Sequence, residues 1–453
     1  MQPRSLDELP VRSPVGEGTS FADIAIAGPE NACYPDEDHY VAEFLYQNPQ
    51  VCLWQADGEG NQVLPLPVPA VPKNAIRLPP PSGGNDTGVL ESIINASAGR
   101  AVVGSGTYAV DGLDIKVSVD IHDMPMRPWR GAGTMVTVEA PDVRVFSSPI
   151  DGSGSSSTHT GFDVEKEADR FVLIDSGFSN IHNRTGANVS GVRLRGAADF
   201  HVACNTFENI LNQPQDQSLT ARANSIWMNG NQLEHTSGGV IANNVARDHQ
   251  SRGARRDAEF LTVQSFLSSD PERPTKVFAN RAMDVGKRFS KHQQSDALVL
   301  SNRLEWSTGQ GPLGARTLLA QIGVHQADNV VARNNRIRIA ADSRFDYVFH
   351  TVVRTSGVAQ DNIRFDCNAI EIADRLAPES NSVPHIVVAR APMLSPDSTS
   401  LEATNSSASH NRVHGAGSVR FHYWFGAGYR DDGGSFETIG NVFDIPATDR
   451  VYK

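Results

Sequence analysis

The stretch Ser295–Trp306 reads SDALVLSNRLEW. Its apolar run ALVL has the length of a short buried strand. Ser-Asn then breaks the run, and a second strand-like piece, RLEW, begins at once. The same order recurs along the chain. It is found in ADFHVACNTFENI from Ala198, SGGVIANNVARDH from Ser237, PTKVFANRAMDV from Pro274, ADNVVARNNRIRI from Ala327, QDNIRFDCNAIEI from Gln360, SSASHNRVHG from Ser406 and FETIGNVFDI from Phe436. Asn follows the strand at 205, 244, 280, 302, 334 or 335, 368, 411 and 441, and the shortest step is 22 residues. A repeat of this kind fits coils of parallel strands stacked about 4.8 Å apart, with inward side chains forming aliphatic stacks. At each corner Asn tolerates the left-handed conformation, and its amide can bond the Asn of the next coil.

Composition agrees. The 453 residues are 39% hydrophobic and 20% charged, with 38 Gly and 26 Pro, a balance that suits many short strands joined by turns. The net charge of −12 argues against nucleic acid or a membrane surface as partner. No apolar run is long enough for a transmembrane helix, and MQPRSLDELPVRSP at the N-terminus lacks an apolar signal core. The expected location is secreted or periplasmic, if a signal once preceded this chain, with the cytoplasm as the other option.

Before Gly83 the repeat is absent. His39–Gln47, HYVAEFLYQ, reads as a strand or a short helix, and seven prolines lie within Pro65–Pro81, which forbids helix there. From Asn85, NDTGVLESIINAS predicts a short helix capped by Asp86 or Thr87, with Val89, Leu90, Ile93 and Ile94 on its apolar side. This opening resembles that of the pectate-lyase-like superfamily, in which a short helix plugs the end of a right-handed parallel β-helix. The expected fold is therefore all-β, a right-handed parallel β-helix (a solenoid) with an N-terminal capping helix and a C-terminal cap. The expected divisions are 1–82 as extension and Pro-rich linker, 83–440 as β-helix and 441–453 as tail.

The four cysteines are expected to divide into a Cys33–Cys52 disulfide and two free buried thiols. Cys204 and Cys367 both precede a repeat Asn and lie five repeat steps apart, roughly 24 Å, too far to pair with each other.

Candidate chemistry gathers in one segment. Residues 247–291 hold ten Lys/Arg against six Asp/Glu, a local excess of positive charge on an acidic protein. A positive groove suits an anionic polymer such as a polyuronate. DAEFLTVQSF and KVFANRAMDVGKRFSKHQQSDALVLSNRLE resemble the central coils of the alginate and chondroitin lyase family. In that family a Glu begins a strand, a catalytic Lys lies five residues later and an Arg-His pair follows on the next coil. Glu259 matches the Glu, Gln264 stands at the Lys position and Lys291-His292 stand at the Arg-His position. The family's calcium-binding acids would fall near GGVIANNVA, which has none.

The expected function is thus a polysaccharide lyase cleaving an acidic glycan by β-elimination. Lys291, His292, Lys287 and Arg288 are the candidate catalytic residues, and strand alternation lets only one parity set face a groove. Arg252, Arg255, Arg256, Gln264 and Arg281 are the candidate substrate contacts. Asp257 and Glu259 are candidates for calcium or for salt bridges to the arginines. No cofactor is required beyond that optional calcium, the partner is the polysaccharide, and the assembly is a monomer or a β-helix trimer.

Two alternatives stand beside it. A glycoside hydrolase or fructotransferase-type enzyme would use paired carboxylates, for which Asp366, Glu371 and Asp374 are candidates. A noncatalytic glycan-binding or assembly protein would need neither set. The polygalacturonase signatures are absent, and DIHDMPM from Asp120 only faintly echoes the Asp-Pro-His-Asp signature of mannuronan epimerases. Phe421, Tyr423, Trp424, Phe425 and Tyr429 are expected to cap the open end of the core, or else to stack on sugar rings.

Overall fold

A computed structural model describes residues 33, 37–48, 53–55, 63–65, 68–131, 133–229, 237–264, 270–307, 310–315, 321–339, 347–352, 360–372, 385–390, 403–415, 419–424, 436–437, 440–444 and 447–452. Three long sheets carry the architecture, one of 13 strands and two of 12. In each, neighbours come from successive coils and pair in parallel. Val240–Ala242 pairs with Thr275–Phe278, that strand with Ala297–Leu300, and that one with Val330–Arg333. We call the 13-stranded sheet A, the sheet entered after each Asn corner B, and the third C. The fold is a parallel β-helix. The parallel pairing of the coils runs from Ile76–Arg77 to Ala447–Tyr452, and outside it Leu53–Gln55 pairs antiparallel with Val63–Pro65.

The quoted repeat explains the stacking. Ile241, Val277, Val299, Ala332 and Phe365 lie in register on sheet A and are all buried in the coil interior. Ring stacks run along the same core, with centroids 4.9 Å apart for Phe178–Phe207 and 5.0 Å for Phe260–Phe289, the spacing of one coil.

The A-to-B corner differs from expectation in one respect. The left-handed residue is not Asn but the one before it: Cys204, Asn243, Ala279, Ser301, Asn334, Cys367, His410 and Gly440 all have φ between 49° and 68°. The Asn side chain turns inward instead and builds a ladder through 205, 244, 280, 302, 335, 368, 411 and 441. Asn302 is typical. Its Oδ1 accepts the Asn280 N–H at 2.9 Å and the Asn280 Nδ2 at 3.0 Å, while its own Nδ2 donates to Asn335 Oδ1 and Val277 O, each at 3.0 Å. Both amide groups are spent, so a fully buried polar column costs the core little. Toward the N-terminus Ser148 and Ser176 continue the ladder.

Helix α1 (Glu37–Gln47) lies outside the coils against sheet A. Its Val41, Ala42 and Leu45 join Phe278, Ala279 and Leu300 in an apolar cluster separate from the interior. Lys276–Asp38 at 2.5 Å and Arg336–Glu43 at 3.1 Å flank it. Cys33 is disulfide-bonded to Cys367, with Cα atoms 5.6 Å apart, and Cys204 is disulfide-bonded as well. The expected Cys33–Cys52 bond and the two free thiols are thereby overturned. The cause is the left-handed corner, which points a cysteine outward, toward the segment that crosses sheet A. Cys52 itself lies outside the described residues.

Helix α2 (Thr87–Asn95) buries Leu90 and Ile94 against the first coil and leaves Val89 exposed. Asp86 precedes it but makes no side-chain cap. Its oxygens accept the N–H groups of Ser82 at 2.8 Å and Ala109 at 3.0 Å, which ties the helix start to the first coil.

Candidate functional site

Sheet C carries the longest strands in the middle of the molecule. These are β1 (Arg222–Asn229), β2 (Asp257–Gln264), β3 (Arg288–His292), β4 (Ile322–His325) and β5 (Tyr347–Val352). Register aligns Trp227, Thr262, Lys291, Gly323 and His350 in one column on the outer face. The neighbouring column, Met228, Val263, His292 and Val324, faces the core.

Alternation therefore separates the expected Lys291-His292 pair. His292 is 1% exposed, and its Nε2 meets Ser290 Oγ at 3.0 Å inside the coil. Burial pushes its pKa down to about 4, so it is a neutral core histidine and cannot meet a substrate. Lys291 is on the outer face but shielded, at 4% exposed. Burial, which outweighs the pull of Glu259, and the nearby Arg222 and Arg288 charges bring its pKa down to about 8. Among the described residues its amine makes no hydrogen bond or ion pair.

Around Lys291 the other charges are engaged. Lys287 Nζ contacts Asp257 at 2.7 Å and donates to the Arg255 carbonyl at 2.6 Å. Arg288 pairs with Glu259, which also accepts from Thr262 Oγ1. Arg222 Nε stands 3.6 Å from Asp257, and its Nη1 donates to Gln264. Burial opposes ionisation of Asp257, yet Arg288, Lys287 and Arg222 together outweigh it and hold the carboxyl below its ordinary value. Asp257 and Glu259 are thus ion-pair partners, and no group of three metal-ligating side chains occurs among the described residues. The cluster holds four cations against two carboxylates.

The broad cationic groove expected over residues 247–291 does not form. Lys276 pairs with Asp38 beside α1, and Arg273 with Asp199. Arg281 lies on sheet B, in register with Arg303. Arg255 and Arg256 are exposed in the turn before β2, while Arg252 lies against Gly314. Nor do the paired carboxylates assemble. Asp366 on sheet A binds Arg333, Ser407 and the Ser409 N–H, Glu371 on sheet B meets Arg338, and Asp374 is outside the described residues. Val419–Trp424 is a strand of sheet C near the C-terminal end of the coils, and Phe425 and Tyr429 are outside the described residues.

Arg222, His325 and His350 were missed by sequence reasoning. The signal was coil spacing: each is a coil or two from the charged strand, and only register brings them together. Arg222 pairs with Asp257, and His350 stands two coils beyond Lys291.

Fold and site together define a parallel β-helix protein with a net-cationic, largely buried cluster on the outside of one sheet. The chain matches no known family model and no curated protein. Among solved structures it is similar to the A-module of the mannuronan C-5 epimerase AlgE4 of Azotobacter vinelandii, at 14% identity and a TM-score of 0.41, over 82% of this chain and 94% of that one. No helix among the described residues is long and apolar enough to cross a membrane.

Proposed function

We infer that the chain is a lyase that cleaves a uronate-containing polysaccharide by β-elimination at Lys291. The observation that carries this is the charge imbalance of the cluster: Arg222, Lys287, Arg288 and Lys291 face only Asp257 and Glu259, and Lys291 is left without a partner among the described residues. A substrate carboxylate supplies the missing negative charge. Its neutralisation by Arg222, Lys287 and Arg288 acidifies the C5 proton, and Lys291, with a pKa of about 8, has enough free amine near neutral pH to remove it. The disulfides favour an oxidising compartment, secreted or periplasmic.

The test is a panel of alginate, pectate, glucuronan and glycosaminoglycans, followed by ultraviolet absorbance of unsaturated uronate and by reducing ends. Both signals should rise together on one polymer. Lys291→Met should lower the rate by about 10²- to 10⁴-fold in a protein that still unfolds cooperatively. Reducing ends without absorbance would replace this reading with hydrolysis, and neither signal would leave a binding protein.

A further inference from the structure

We propose that Arg222 is the residue that binds the substrate carboxylate, and that Gln264 holds its guanidinium in the free protein as a neutral stand-in for that carboxylate. The proposal rests on the lyase reading above and gives the direct contact to one of its three neutralising cations.

The three differ in what holds them. Lys287 is bonded to Asp257 at 2.7 Å and to the Arg255 carbonyl at 2.6 Å, and Arg288 is ion-paired to Glu259. The Arg222 side chain has no carboxylate at hydrogen-bond distance among the described residues. Its Nε stands 3.6 Å from Asp257, and its hydrogen bond goes to a neutral acceptor, the Oε1 of Gln264. A guanidinium bonded to an amide oxygen gains by exchanging it for a carboxylate, which accepts two parallel N–H bonds and carries the opposite charge. Lys287 and Arg288 would have to abandon a buried acid to do the same.

Register puts this bond beside the base. Arg222 opens β1, opposite Asp257, and Gln264 closes β2, two residues beyond Thr262 on the same face. Thr262 pairs with Lys291 on the next coil. The Arg222–Gln264 bond thus crosses the outer face of sheet C, and the Arg222 charge reaches the Lys291 amine, where it helps to lower the pKa. Gln264 is half-buried, whereas Arg222, Asp257, Glu259 and Arg288 are buried, so the approach to Arg222 lies on its side. On a uronate the carboxylate held by Arg222 and the proton taken by Lys291 are carried by the same carbon, C5. The identity of residue 264 follows. A carboxylate there would occupy Arg222 for good and cancel part of the cationic excess, and a lysine would repel it. Glutamine holds the guanidinium and yields it.

The test uses the polymer that the panel identifies, methyl-esterified to graded extents, because an ester removes the charge and keeps the C5 proton acidic. Wild-type kcat/KM should fall as esterification rises. Arg222→Met should lower kcat/KM on the free acid by about 10²-fold and make the rate nearly independent of esterification, and Arg222→Lys should restore part of both. Gln264→Glu should raise KM for the free acid by about 10-fold with a smaller change in kcat, and the same substitution made on top of Arg222→Met should add no such rise. An Arg222→Met protein that keeps the wild-type dependence on esterification overturns the proposal and leaves the lyase reading intact. So does a Gln264→Glu protein with unchanged KM, which decides the matter by itself if Arg222→Met fails to fold or falls below detection. A wild-type protein that cleaves no polymer of the panel overturns the lyase reading, and this proposal with it.

Discussion

Lys291 and His292 are sequence neighbours with opposite surroundings, and pH separates them. The lysine's pKa falls from 10.5 to about 8 on folding, so below pH 8 both states hold the proton and the native state carries the full cost of a buried charge, about 3 kcal/mol. Between pH 8 and 10.5 the unfolded chain binds a proton that the native chain has shed, and stability from this group rises with pH. The histidine's pKa falls from 6.5 to about 4, so stability from it is lost as pH drops through that window, by about 2 kcal/mol at pH 5. Thermal unfolding scans of Lys291→Met should show a gain at pH 7 that vanishes near pH 10. Scans of His292→Leu should show a gain at pH 5 that is absent at pH 8, with turnover retained. Turnover lost in His292→Leu would return that residue to the site. The single-residue parity that decides all this is a property of any strand, and the sequence announced it. Which parity faces outward was not legible, because Phe260 and Leu261 are adjacent yet both buried in the core, and this irregularity resets the alternation upstream of Lys291.

The corner and its Asn ladder are the element that repeats. Asn302→Ala would strip the Asn280 backbone N–H and Nδ2 of their acceptor and leave Asn335 Oδ1 and Val277 O each short of a donor, all in the interior. Each orphaned group costs about 1 to 3 kcal/mol, so a loss of about 3 to 5 kcal/mol is expected in urea unfolding. Asn441→Ala, at the half-buried end of the ladder, should cost about 1 kcal/mol. Equal losses at the two positions would mean that the ladder is not held as a buried column. The recurrence of Asn was readable because the same corner must be turned on every coil. The left-handed residue before it was not, since Cys, Ser, Ala, His, Asn and Gly all occupy that position.

At the scale of the whole molecule, α1 and the Cys33–Cys367 bond tie two segments 334 residues apart. Closing so long a loop restricts the unfolded chain, and such bonds typically contribute about 2 to 4 kcal/mol. Cys33→Ser should therefore lower the thermal midpoint and uncover part of the outer apolar cluster around Phe278 and Leu300, read as increased binding of a hydrophobic dye. An unchanged midpoint without new dye binding would mean that α1 is held by its packing and ion pairs alone.

The sequence by itself determined the coils, because an apolar strand, a corner and an Asn recurring at coil spacing leave one economical way to bury their surfaces and bond their amides. It also determined that Lys291 and His292 face opposite ways. Tertiary structure alone decided which of them looks outward, which acids neutralise which arginines, and which cysteines meet. Those partners lie one or more coils apart in sequence, and their separation is fixed by loop lengths and strand register. The excess charge of residues 247–291 was real in the sequence, but each turn of the coil carried part of it to a different wall.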